Sequence, residues 1–547
     1  MTATVSSATL VGVEGQPISV EVHVSTGIPA FSIVGLPDAA CRESRDRVRA
    51  AILSSDMRWP QKRVTVNLAP SAVRKGGAGL DLPIAVALLI ADEQLPAQAA
   101  NDVGFIGELG LDGSLRRVPG VLALTHAMSV SCLVVPPDCA SEAALNPGVA
   151  VKSAGNLSAI LACLRGRRSW QVPKISSQGP PPGRCLDLSD VRGQPLGRLA
   201  VEVAAAGGHH LLMVGPPGAG KTMLAERLVG LLPPLDISDA LEVARIHSAA
   251  GLDLPDGTLG VRPPFRAPHH SASAVSMVGG GGTQMRPGEL SCAHHGVLFL
   301  DELGEFSAVV LDTLRQPLEE RQVRVSRARA SVVFPADVLL VAAMNPCPCG
   351  TNNGPGSCGC SDTSRQRYAS RVSGPLLDRF DLRVRLDRPL VSELLQDSDG
   401  GTVPGGCAST RNESTATVAA RVLVARDMSS GRGYPTNSAI PSNRLEEAAP
   451  LSAKASRLLE VRLRQGALSA RGLHRVRRVS RTIADLSGWS GTLREEDVYS
   501  ALALRSNVLS RSPGASPGSP YGASPGSPYG PEAGAAYGAE AVGVRNG

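Results

Sequence analysis

The segment Leu211–Thr222, LLMVGPPGAGKT, is a short apolar strand pattern that breaks into a glycine-rich loop ending in Lys-Thr. Glycines let the backbone curl so that successive N–H groups point at phosphate oxygens, and a helix opening at Lys221 adds the positive end of its dipole. Lys221 then reaches the β- and γ-phosphates, and the Thr222 hydroxyl binds magnesium. The alternative is a glycine-rich turn with a surface lysine, but the strand before the loop and the helical run after it favour a phosphate-binding loop. The predicted nucleotide-binding residues are Gly215, Pro216, Pro217, Gly218, Ala219, Gly220, Lys221 and Thr222.

Two further strand patterns end in polar side chains suited to nucleotide chemistry. The run 296–302 places four apolar residues before Asp301 and Glu302. A buried parallel strand would deliver both carboxylates to the sheet edge where nucleotides bind. There Asp301 can hold hydrated magnesium and Glu302 can polarise the attacking water, although such a pair also occurs in solvated acidic turns. The pattern 338–344 ends in Asn345, whose amide is suited to orient the water and sense the γ-phosphate.

Length and composition restrict the class of protein. A chain of 547 residues with 43% hydrophobic content is expected to form two to four globular domains. Its longest apolar runs, such as 82–91, fall far short of the roughly 20 residues of a membrane span. The first basic residue is Arg42, so we expect no secretory leader and a cytoplasmic chain. The eleven cysteines are then predicted to be reduced thiols or metal ligands.

Residues 1–170 alternate strand patterns with helical stretches, which is typical of a mixed α/β domain. The segments GLPDAACRESRDRVRAAI, NLAPSAVRKGGAGLDLPIA and GELGLDGSLRRVPGV resemble the N-terminal domain of the ComM/YifB family of magnesium-chelatase-like ATPases, a domain similar in fold to the proteolytic domain of Lon protease. On the Lon pattern the nucleophile position falls on Gly79 and the later lysine position falls near Leu122. Neither side chain supports Ser-Lys proteolysis, so we expect no protease activity and a structural or partner-docking role.

Segments further along the chain resemble the AAA+ ATPases, and the ComM/YifB branch in particular. They are RPPFRAPHHSAS (262–273), RPGELS (286–291), DEL from Asp301, RQPLEE (315–320), AAMNP (342–346) and SGPLLDRFDL (373–382). The resemblance implies ATP and magnesium as cofactors and a homo-oligomeric ring, usually a hexamer. In such a ring Arg379 of one subunit reaches the γ-phosphate bound by its neighbour. The alternative for Arg379 is a salt bridge within the subunit to Asp378 or Asp381.

Two close cysteine pairs follow the Asn345 strand. Cys347 and Cys349 are separated by eight residues from Cys358 and Cys360. Four thiolates across a turn rich in glycine and asparagine suit tetrahedral zinc, and the alternative is reduced thiols on a disordered loop. The histidines at 269, 270, 294 and 295 show no ligand spacing, so structural roles are expected for them.

Basic residues form three candidate contacts with phosphate groups. The run 324–329 lies between two strand patterns and predicts an arginine hairpin, which faces the central pore in related rings; the glycine-rich loop 278–283 is a second candidate pore element. The alternative is an exposed turn, which would also explain the arginines. Between Lys454 and Arg481 nine Lys or Arg residues accompany one Glu. Apolar spacing within 471–486 predicts a helix with a buried stripe, from which Arg475 and Arg478 project on the other side. The AAA+ resemblance implies that one of them senses the γ-phosphate, and Arg475 is favoured.

The predicted fold class is therefore a multidomain α/β chain. A Lon-protease-like α/β N-terminal domain, an AAA+ parallel-sheet ATPase core and an α-helical lid follow one another. The predicted boundaries are 1–170 for the N-terminal domain, 171–186 for a linker, 187–390 for the ATPase core with a cysteine insert at 347–360, 391–412 for a flexible loop, 413–508 for the lid and 509–547 for a disordered Pro/Gly/Ser tail.

These features predict ATP hydrolysis by an AAA+ ring. The resemblance implies a DNA motor, a ComM-type branch-migration helicase acting in recombination and uptake of transforming DNA. The basic segments carry no base-reading motif, so contacts to DNA are expected to be backbone-directed and salt-sensitive. Two other functions stay open: the motor subunit of a magnesium chelatase, and a protein-remodelling ATPase that docks substrates on the N-terminal domain.

Overall fold

A computed structural model describes residues 1–73, 75–172, 186–254, 259–281, 285–327, 330–350, 358–389, 391 and 413–505. Most of the predicted linker, nearly all of the loop 391–412, the middle of the cysteine insert and the C-terminal tail lie outside these residues. Two large β-sheets, one of seven strands and one of five, organise the described part of the chain.

The N-terminal part is built on the seven-stranded mixed sheet. Its strands and those of a separate short ladder are β1 (Thr2–Val11), β2 (Glu14–Ser25), β3 (Ala30–Val34), β4 (Arg63–Ala69), β5 (Val103–Phe105), β6 (Glu108–Leu109), β7 (Leu115–Arg116), β8 (Cys132–Val135) and β9 (Ala150–Ser153). The sheet order is β3-β4-β2-β1-β5-β8-β9, and β6 pairs with β7. In β2 and β4 buried and more exposed residues alternate along most of the strand, as expected where one face packs on a core. The predicted mixed α/β character of this part is confirmed.

Helices pack against this sheet in two core clusters, one with α1, α2 and α5 and the other with α3 and α4. They are α1 (Ala39–Ser54), α2 (Asp81–Ala91), α3 (Val121–Ala127), α4 (Pro137–Ala143) and α5 (Leu157–Leu164). Every residue of α2 is buried, which explains why its sequence is apolar all round. Its single carboxylate, Asp81, accepts hydrogen bonds from Arg47 Nε (2.6 Å) and Nη2 (3.0 Å), so that the buried charge is paired.

The five-stranded sheet is entirely parallel and forms the centre of the ATPase part. Its strands and an antiparallel hairpin are β10 (Leu211–Val214), β11 (Phe265–Arg266), β12 (Val297–Leu300), β13 (Gln322–Arg327), β14 (Ala330–Pro335), β15 (Leu339–Met344) and β16 (Leu382–Arg385). The sheet order is β11-β12-β15-β10-β16, and β13 pairs with β14 in the predicted hairpin. Every residue of β10, β12 and β15 is buried. Because the strands are parallel, the segments that follow them emerge at one edge of the sheet.

Helices surround the parallel sheet and continue into an all-helical C-terminal part. Those around the sheet are α6 (Pro195–Gly207), α7 (Lys221–Leu228), α8 (Ile237–Ala250), α9 (Ala274–Val278), α10 (Glu289–Cys292), α11 (Ala308–Thr313), α12 (Arg315–Glu320), α13 (Asp362–Ser370) and α14 (Gly374–Leu377). The C-terminal ones are α15 (Thr415–Gly431), α16 (Leu445–Ala448), α17 (Ala453–Arg464), α18 (Ala470–Leu486) and α19 (Glu495–Ala503). The stripe predicted for α18 is confirmed: Val476 and Val479 lie in the hydrophobic core that also contains β10 and β16.

The N-terminal part contacts the ATPase part through α3 and α8. The backbone N–H of Gly120 donates to the carbonyl of Ser248 (3.0 Å), and Arg117 forms an ion pair with Asp253. Among the described residues, no helix combines the length and the apolar character that crossing a membrane requires.

Candidate active site

The loop after β10 has the curled backbone that its glycines predict. Gly218 and Gly220 adopt φ values of +79° and +80°, a left-handed conformation that costs other residues energy. Gly215 is required for a different reason: a Cβ there would lie 2.4 Å from the carbonyl oxygen of Leu386 at the end of β16. The loop leads directly into α7, whose first residue is Lys221. Left-handed glycines followed by a helix N-terminus form a donor set that fits phosphate groups.

Lys221 and Asn345 meet at this edge of the sheet. Lys221 Nζ donates to the carbonyl oxygens of Gly215 (2.6 Å) and Pro216 (3.0 Å) and to Asn345 Oδ1 (3.2 Å). Burial lowers the pKa of Lys221, and the nearby carboxylates of Asp301 and Glu302 oppose that shift. The structure thus brings together two residues predicted from separate strand patterns.

Thr222 and Asp301 form the second contact across this edge. Thr222 Oγ1 donates to Asp301 Oδ2 at 2.9 Å, and Asp301 Oδ1 accepts from the backbone N–H of Glu302 at 2.9 Å. A hydroxyl and a carboxylate held side by side are the oxygen ligands that magnesium prefers. The two residues predicted as magnesium ligands are therefore adjacent.

Glu302 is held differently from its neighbour. Its backbone is left-handed, with φ 52° and ψ 46°, and a non-glycine residue in this region stores about 1–3 kcal/mol of strain. Its Oε2 lies 3.3 Å from Nδ1 of His270. From its sequence context His270 is expected to have a structural role, and its contact with Glu302 is not predicted. No local sequence pattern marked this contact, because it depends on the pairing of the two-residue strand β11 with β12.

The two arginines predicted to act on the γ-phosphate lie together at the opposite edge of the sheet. Arg475 Nη1 donates to the carbonyl of Arg379 (2.9 Å) and to Asp381 Oδ1 (2.5 Å). The N–H of Asp381 bonds to the carbonyl of His210, directly before β10 begins. The four residues of β10 span about 13 Å. Both arginines are therefore separated by a strand length from the phosphate loop of their own subunit.

Arg379 does form a salt bridge within the subunit, but to a different partner from those named by the sequence analysis. Its Nη2 lies 2.6 Å from Glu319 Oε1. Asp378 instead pairs with Arg383 (3.4 Å) and Asp381 with Arg475. Burial opposes ionisation of Asp381, yet its pKa is lowered because His209 and Arg475 stabilise the carboxylate.

The four cysteines converge at the end of the Asn345 strand. The Sγ atoms of Cys347, Cys349 and Cys358 lie 3.3, 3.5 and 3.6 Å apart, and all four sulfurs lie within 4.8 Å of one another. Zinc–sulfur bonds of about 2.3 Å in a tetrahedron place sulfurs about 3.8 Å apart, so the cluster fits that ion. Gly350, beside the cluster, packs against the phosphate loop, since a Cβ on it would meet Pro217 at 3.0 Å.

A second group of potential ligands, Glu242, His294 and His295, fits a metal poorly. His294 Nδ1 accepts a hydrogen bond from the N–H of Asp337 (2.9 Å). Nδ1 is therefore the unprotonated nitrogen and Nε2, which faces Glu242, carries the proton. A protonated Nε2 has no lone pair for a metal, so this histidine has a structural role, as expected.

The arginine hairpin and the glycine-rich loop lie side by side. Gly280 and Arg286 exchange backbone hydrogen bonds (2.9 and 3.0 Å), and a Cβ on Gly280 would lie 3.5 Å from Arg327 Nη2. The exposed residues Arg286, Arg324 and Arg327 are called the arginine surface below. Residues 282, 283, 328 and 329 of the predicted elements lie outside the described part of the chain.

Part of the basic run predicted to meet phosphates in the C-terminal part is used for packing, whereas Lys454, Arg457, Arg462, Arg464 and Arg471 are exposed. Arg477 donates to the carbonyls of Leu445 and Ala449. Arg481 is 1% exposed and pairs with Asp485 at 3.0 Å. Composition alone over-counted the free positive charge of this region, because these side chains satisfy buried acceptors.

Gly79 and Leu122, the positions that correspond to the nucleophile and the lysine of Lon, carry no reactive group. Leu122 is buried in the N-terminal core, and a Cβ on Gly79 would meet Val118 at 3.0 Å. The nearby Lys75 is buried and donates to the carbonyl of Pro70.

Comparison with known proteins places the chain in a family. Residues 187–394 match the family described as "Magnesium chelatase, subunit ChlI", residues 20–138 match "Subunit ChlI of Mg-chelatase", and residues 412–505 match its C-terminal family. The uncharacterized protein YifB of Escherichia coli is 43% identical over 499 residues, which cover 90% of this chain and 95% of that protein. The competence protein ComM of Haemophilus influenzae is 42% identical over 492 residues, covering 89% of this chain and 94% of that protein.

A shorter match supports the likeness of part of the chain to Lon. Lon protease 2 of Bacillus subtilis is 31% identical over 162 residues, covering 26% of this chain and 27% of that protein. The parallel sheet with its phosphate loop agrees with the family described for residues 187–394. Since full-length relatives cover nearly the whole chain, the chain belongs to the ComM/YifB family of magnesium-chelatase-like AAA+ ATPases.

Proposed function

We propose that this AAA+ ATPase uses magnesium and ATP to remodel DNA, as a branch-migration helicase of the ComM type. The observation that carries the proposal is the meeting of Lys221, Thr222, Asp301 and Asn345 at one sheet edge. Lys221 and the loop N–H groups bind the phosphates, and Thr222 with Asp301 holds magnesium, which neutralises charge on the phosphates when bound. Glu302 serves as the base that polarises water, and Asn345 orients that water.

The position of the arginines supports a ring of subunits. Arg379 and Arg475 are tied to each other at the edge of the sheet away from the subunit's own loop. They are therefore suited to stabilise developing charge at the nucleotide of a neighbouring copy. Release of Arg379 from Glu319 would accompany that contact. We propose a hexamer, the usual state of such rings.

DNA is the proposed substrate because the exposed arginine surface carries guanidinium groups from two adjacent elements. Arginines on a turn and a hairpin suit phosphate oxygens and carry no base-reading geometry. The name of the relative ComM, a competence protein, agrees with a substrate of this class. Binding of this kind weakens steeply with salt.

We further propose that Cys347, Cys349, Cys358 and Cys360 hold a structural zinc ion. The sulfur separations fit the ion, and an all-thiolate set leaves no ligand position open for catalysis. Because Cys347 follows Asn345 by two residues and Gly350 packs on Pro217, the ion would fix Asn345 relative to the phosphate loop.

A second candidate function is the motor of a magnesium chelatase. The match of residues 187–394 to the family named for that enzyme favours it. A rise in ATPase rate on adding a porphyrin and partner subunits would support this function. A protein-remodelling ATPase is a third, and stimulation by unfolded protein but not by DNA would support it.

The deciding experiment is the steady-state ATPase rate with and without single-stranded and forked DNA, at low and physiological salt. Glu302→Gln serves as the blank. Stimulation that fades with salt supports a motor that grips the DNA backbone, and a branch-migration assay then follows. A substantial ATPase rate that does not change when DNA is added would contradict the DNA motor and favour the other two functions.

A further inference from the structure

We infer that His209 is a positioning residue that fixes Arg475, and with it Arg379, in the orientation offered to the nucleotide of a neighbouring copy. The inference rests on the proposed action of these arginines across a subunit interface. His209 Nδ1 lies 3.3 Å from Asp381 Oδ2, and Arg475 Nη1 donates to the other oxygen of that carboxylate at 2.5 Å. The imidazole therefore acts on the arginine through a shared partner.

The two contacts fix the plane of the Asp381 carboxylate. The last torsion of an aspartate side chain has a broad minimum, so a single hydrogen bond leaves this plane loosely defined. An ionised carboxylate only accepts hydrogen bonds, so His209 Nδ1 carries the proton that faces it. The backbone is held as well, because Arg505 Nη1 donates to the carbonyls of Phe380 (2.7 Å) and Asp381 (2.8 Å). Loss of the imidazole would thus free the carboxylate to rotate while the backbone stays in place.

The end of α6 is shaped around the His209 ring. Gly208 follows the helix with a left-handed φ of 67°, and the backbone N–H of His209 donates back to the carbonyl of Ala204 (3.1 Å). A Cβ on Gly207 would collide with the His209 ring and with Thr482 Oγ1. The ring is fully buried, so it occupies one place that a side chain at position 207 would close.

Thr482 of α18 holds the other side of the ring. His209 Nε2 lies 2.8 Å from Thr482 Oγ1, and the same oxygen accepts from Asn437 Nδ2 at 3.1 Å. Thr482 follows Arg475 by about two turns of the same helix. One helix therefore supplies both the arginine and the hydroxyl that holds the histidine, and the contacts through Asp381 close the circuit.

Arg475 keeps N–H groups for an outside acceptor. Its hydrogen bonds to residues that the structure describes, Asp381 and the carbonyl of Arg379, both use Nη1, whereas a guanidinium carries five N–H donors. Arg478, the other arginine predicted to project from α18, donates through Nε to the carbonyl of Ile440 (2.8 Å). Arg475 is thus the arginine whose orientation has to be fixed by its neighbours.

The test compares kcat and KM for ATP of the full chain carrying His209→Gln or His209→Asn with those of wild type. The shorter asparagine amide takes the place of Nδ1 and can still donate to Asp381, whereas glutamine reaches the place of Nε2 and keeps only the contact with Thr482. We expect kcat to fall about ten-fold in His209→Gln, the value of one hydrogen bond to a charged group, and to stay near wild type in His209→Asn. KM should stay unchanged in both variants, since Lys221 and the phosphate loop are untouched.

A double-mutant cycle shows whether His209 acts through the arginine. Arg475→Ala alone should lower kcat at least as far as His209→Gln, and adding His209→Gln to it should lower kcat no further. A second, additive loss in the double variant overturns the inference. A wild-type kcat in His209→Gln or an equal loss in His209→Asn also overturns it.

The controls separate this inference from the proposed function. His247→Gln changes a histidine of α8 whose Nε2 lies 2.8 Å from the carbonyl of Cys292, and it should keep the wild-type kcat; an equal loss there overturns the inference. Wild-type turnover by Arg475→Ala overturns the proposed action of that arginine instead. If His209→Gln does not fold, Thr482→Val replaces it, since it removes the hydroxyl that holds Nε2, and its loss of kcat should likewise vanish in the Arg475→Ala background.

Discussion

Thr222 Oγ1 donates a hydrogen bond to Asp301 Oδ2 at 2.9 Å across 79 residues of sequence. The contact joins the first turn of α7 to the end of β12. Because the hydroxyl and the carboxylate lie side by side, the pair offers two oxygen ligands of the kind that magnesium prefers. It also shows that the loop and the acidic pair belong to one site.

Removing the ammonium group of Lys221 from the phosphate loop should abolish nucleotide binding. Lys221→Ala deletes the charge that reaches the phosphates, and we expect ATP affinity to fall about 100-fold or more, as for loss of charge-assisted hydrogen bonds. Isothermal titration calorimetry measures it. Lys454→Ala, an exposed lysine on α17, is the matched control. Unchanged ATP affinity in Lys221→Ala would exclude the loop as the phosphate site.

Neutralising the proposed base should separate binding from hydrolysis. Glu302→Gln keeps the shape of the side chain, so ATP affinity should persist while turnover falls by about 100-fold or more. Calorimetry and phosphate release give the two quantities. Glu320→Gln, exposed at the end of α12, should retain the wild-type rate. Normal phosphate release by Glu302→Gln would remove this residue from its role.

Mixing two inactive variants should restore ATPase activity. Arg379→Ala keeps its own phosphate loop and Lys221→Ala keeps its own arginine, so an interface between the two contains one complete site if Arg379 acts on the neighbouring subunit. We expect each variant alone to be inactive and the mixture to recover part of the wild-type rate. If the mixture stays as inactive as its components, Arg379 does not act across an interface.

Disruption of the cysteine cluster should release its metal. Cys358→Ser removes one thiolate of four, and elemental analysis should show stoichiometric zinc in the wild-type chain and little in the variant. Cys407→Ser, which changes a cysteine outside the two pairs, should keep the zinc. A wild-type chain that purifies without metal and binds none on addition would end this proposal.

Loss of a buried ion pair should destabilise the N-terminal part. Arg47→Ala leaves the fully buried Asp81 without its partner, which typically costs about 3–5 kcal/mol. Two of the three tryptophans, Trp59 and Trp170, pack against this core, so fluorescence during urea unfolding reports on it. Arg45→Ala, at an exposed pair, should change the midpoint little. An equal midpoint for both variants would show that the buried pair contributes nothing.

The elements that the sequence predicted well are those with a local pattern. Continuous apolar runs placed β12 and β15 to within one residue, because a strand buried on both faces needs apolar residues at every position. The stripe of α18 was equally clear. The phosphate loop was recognisable because its backbone conformation demands glycine at fixed positions.

The sequence could not predict contacts between residues that only the fold brings together. Glu319 was not considered for Arg379, since sixty residues and a hairpin lie between them. The contact of His270 with Glu302 depends on β11 pairing with β12, and a two-residue strand has no periodicity to detect. The arginines of α18 suggested free charge because no local pattern reveals their backbone acceptors, which lie in α16 for Arg477 and just beyond the end of α18 for Arg481.

The close approach of Gly215 to Leu386 connects the phosphate loop to the end of β16. The phosphate loop touches one end of β16, and Arg379 lies just before the other end. If Arg379 acts on a neighbouring copy as proposed, the four residues of β16 form the shortest path from the phosphate loop to that arginine. In the proposed ring, this connection would make ATP hydrolysis by the subunits sequential rather than independent.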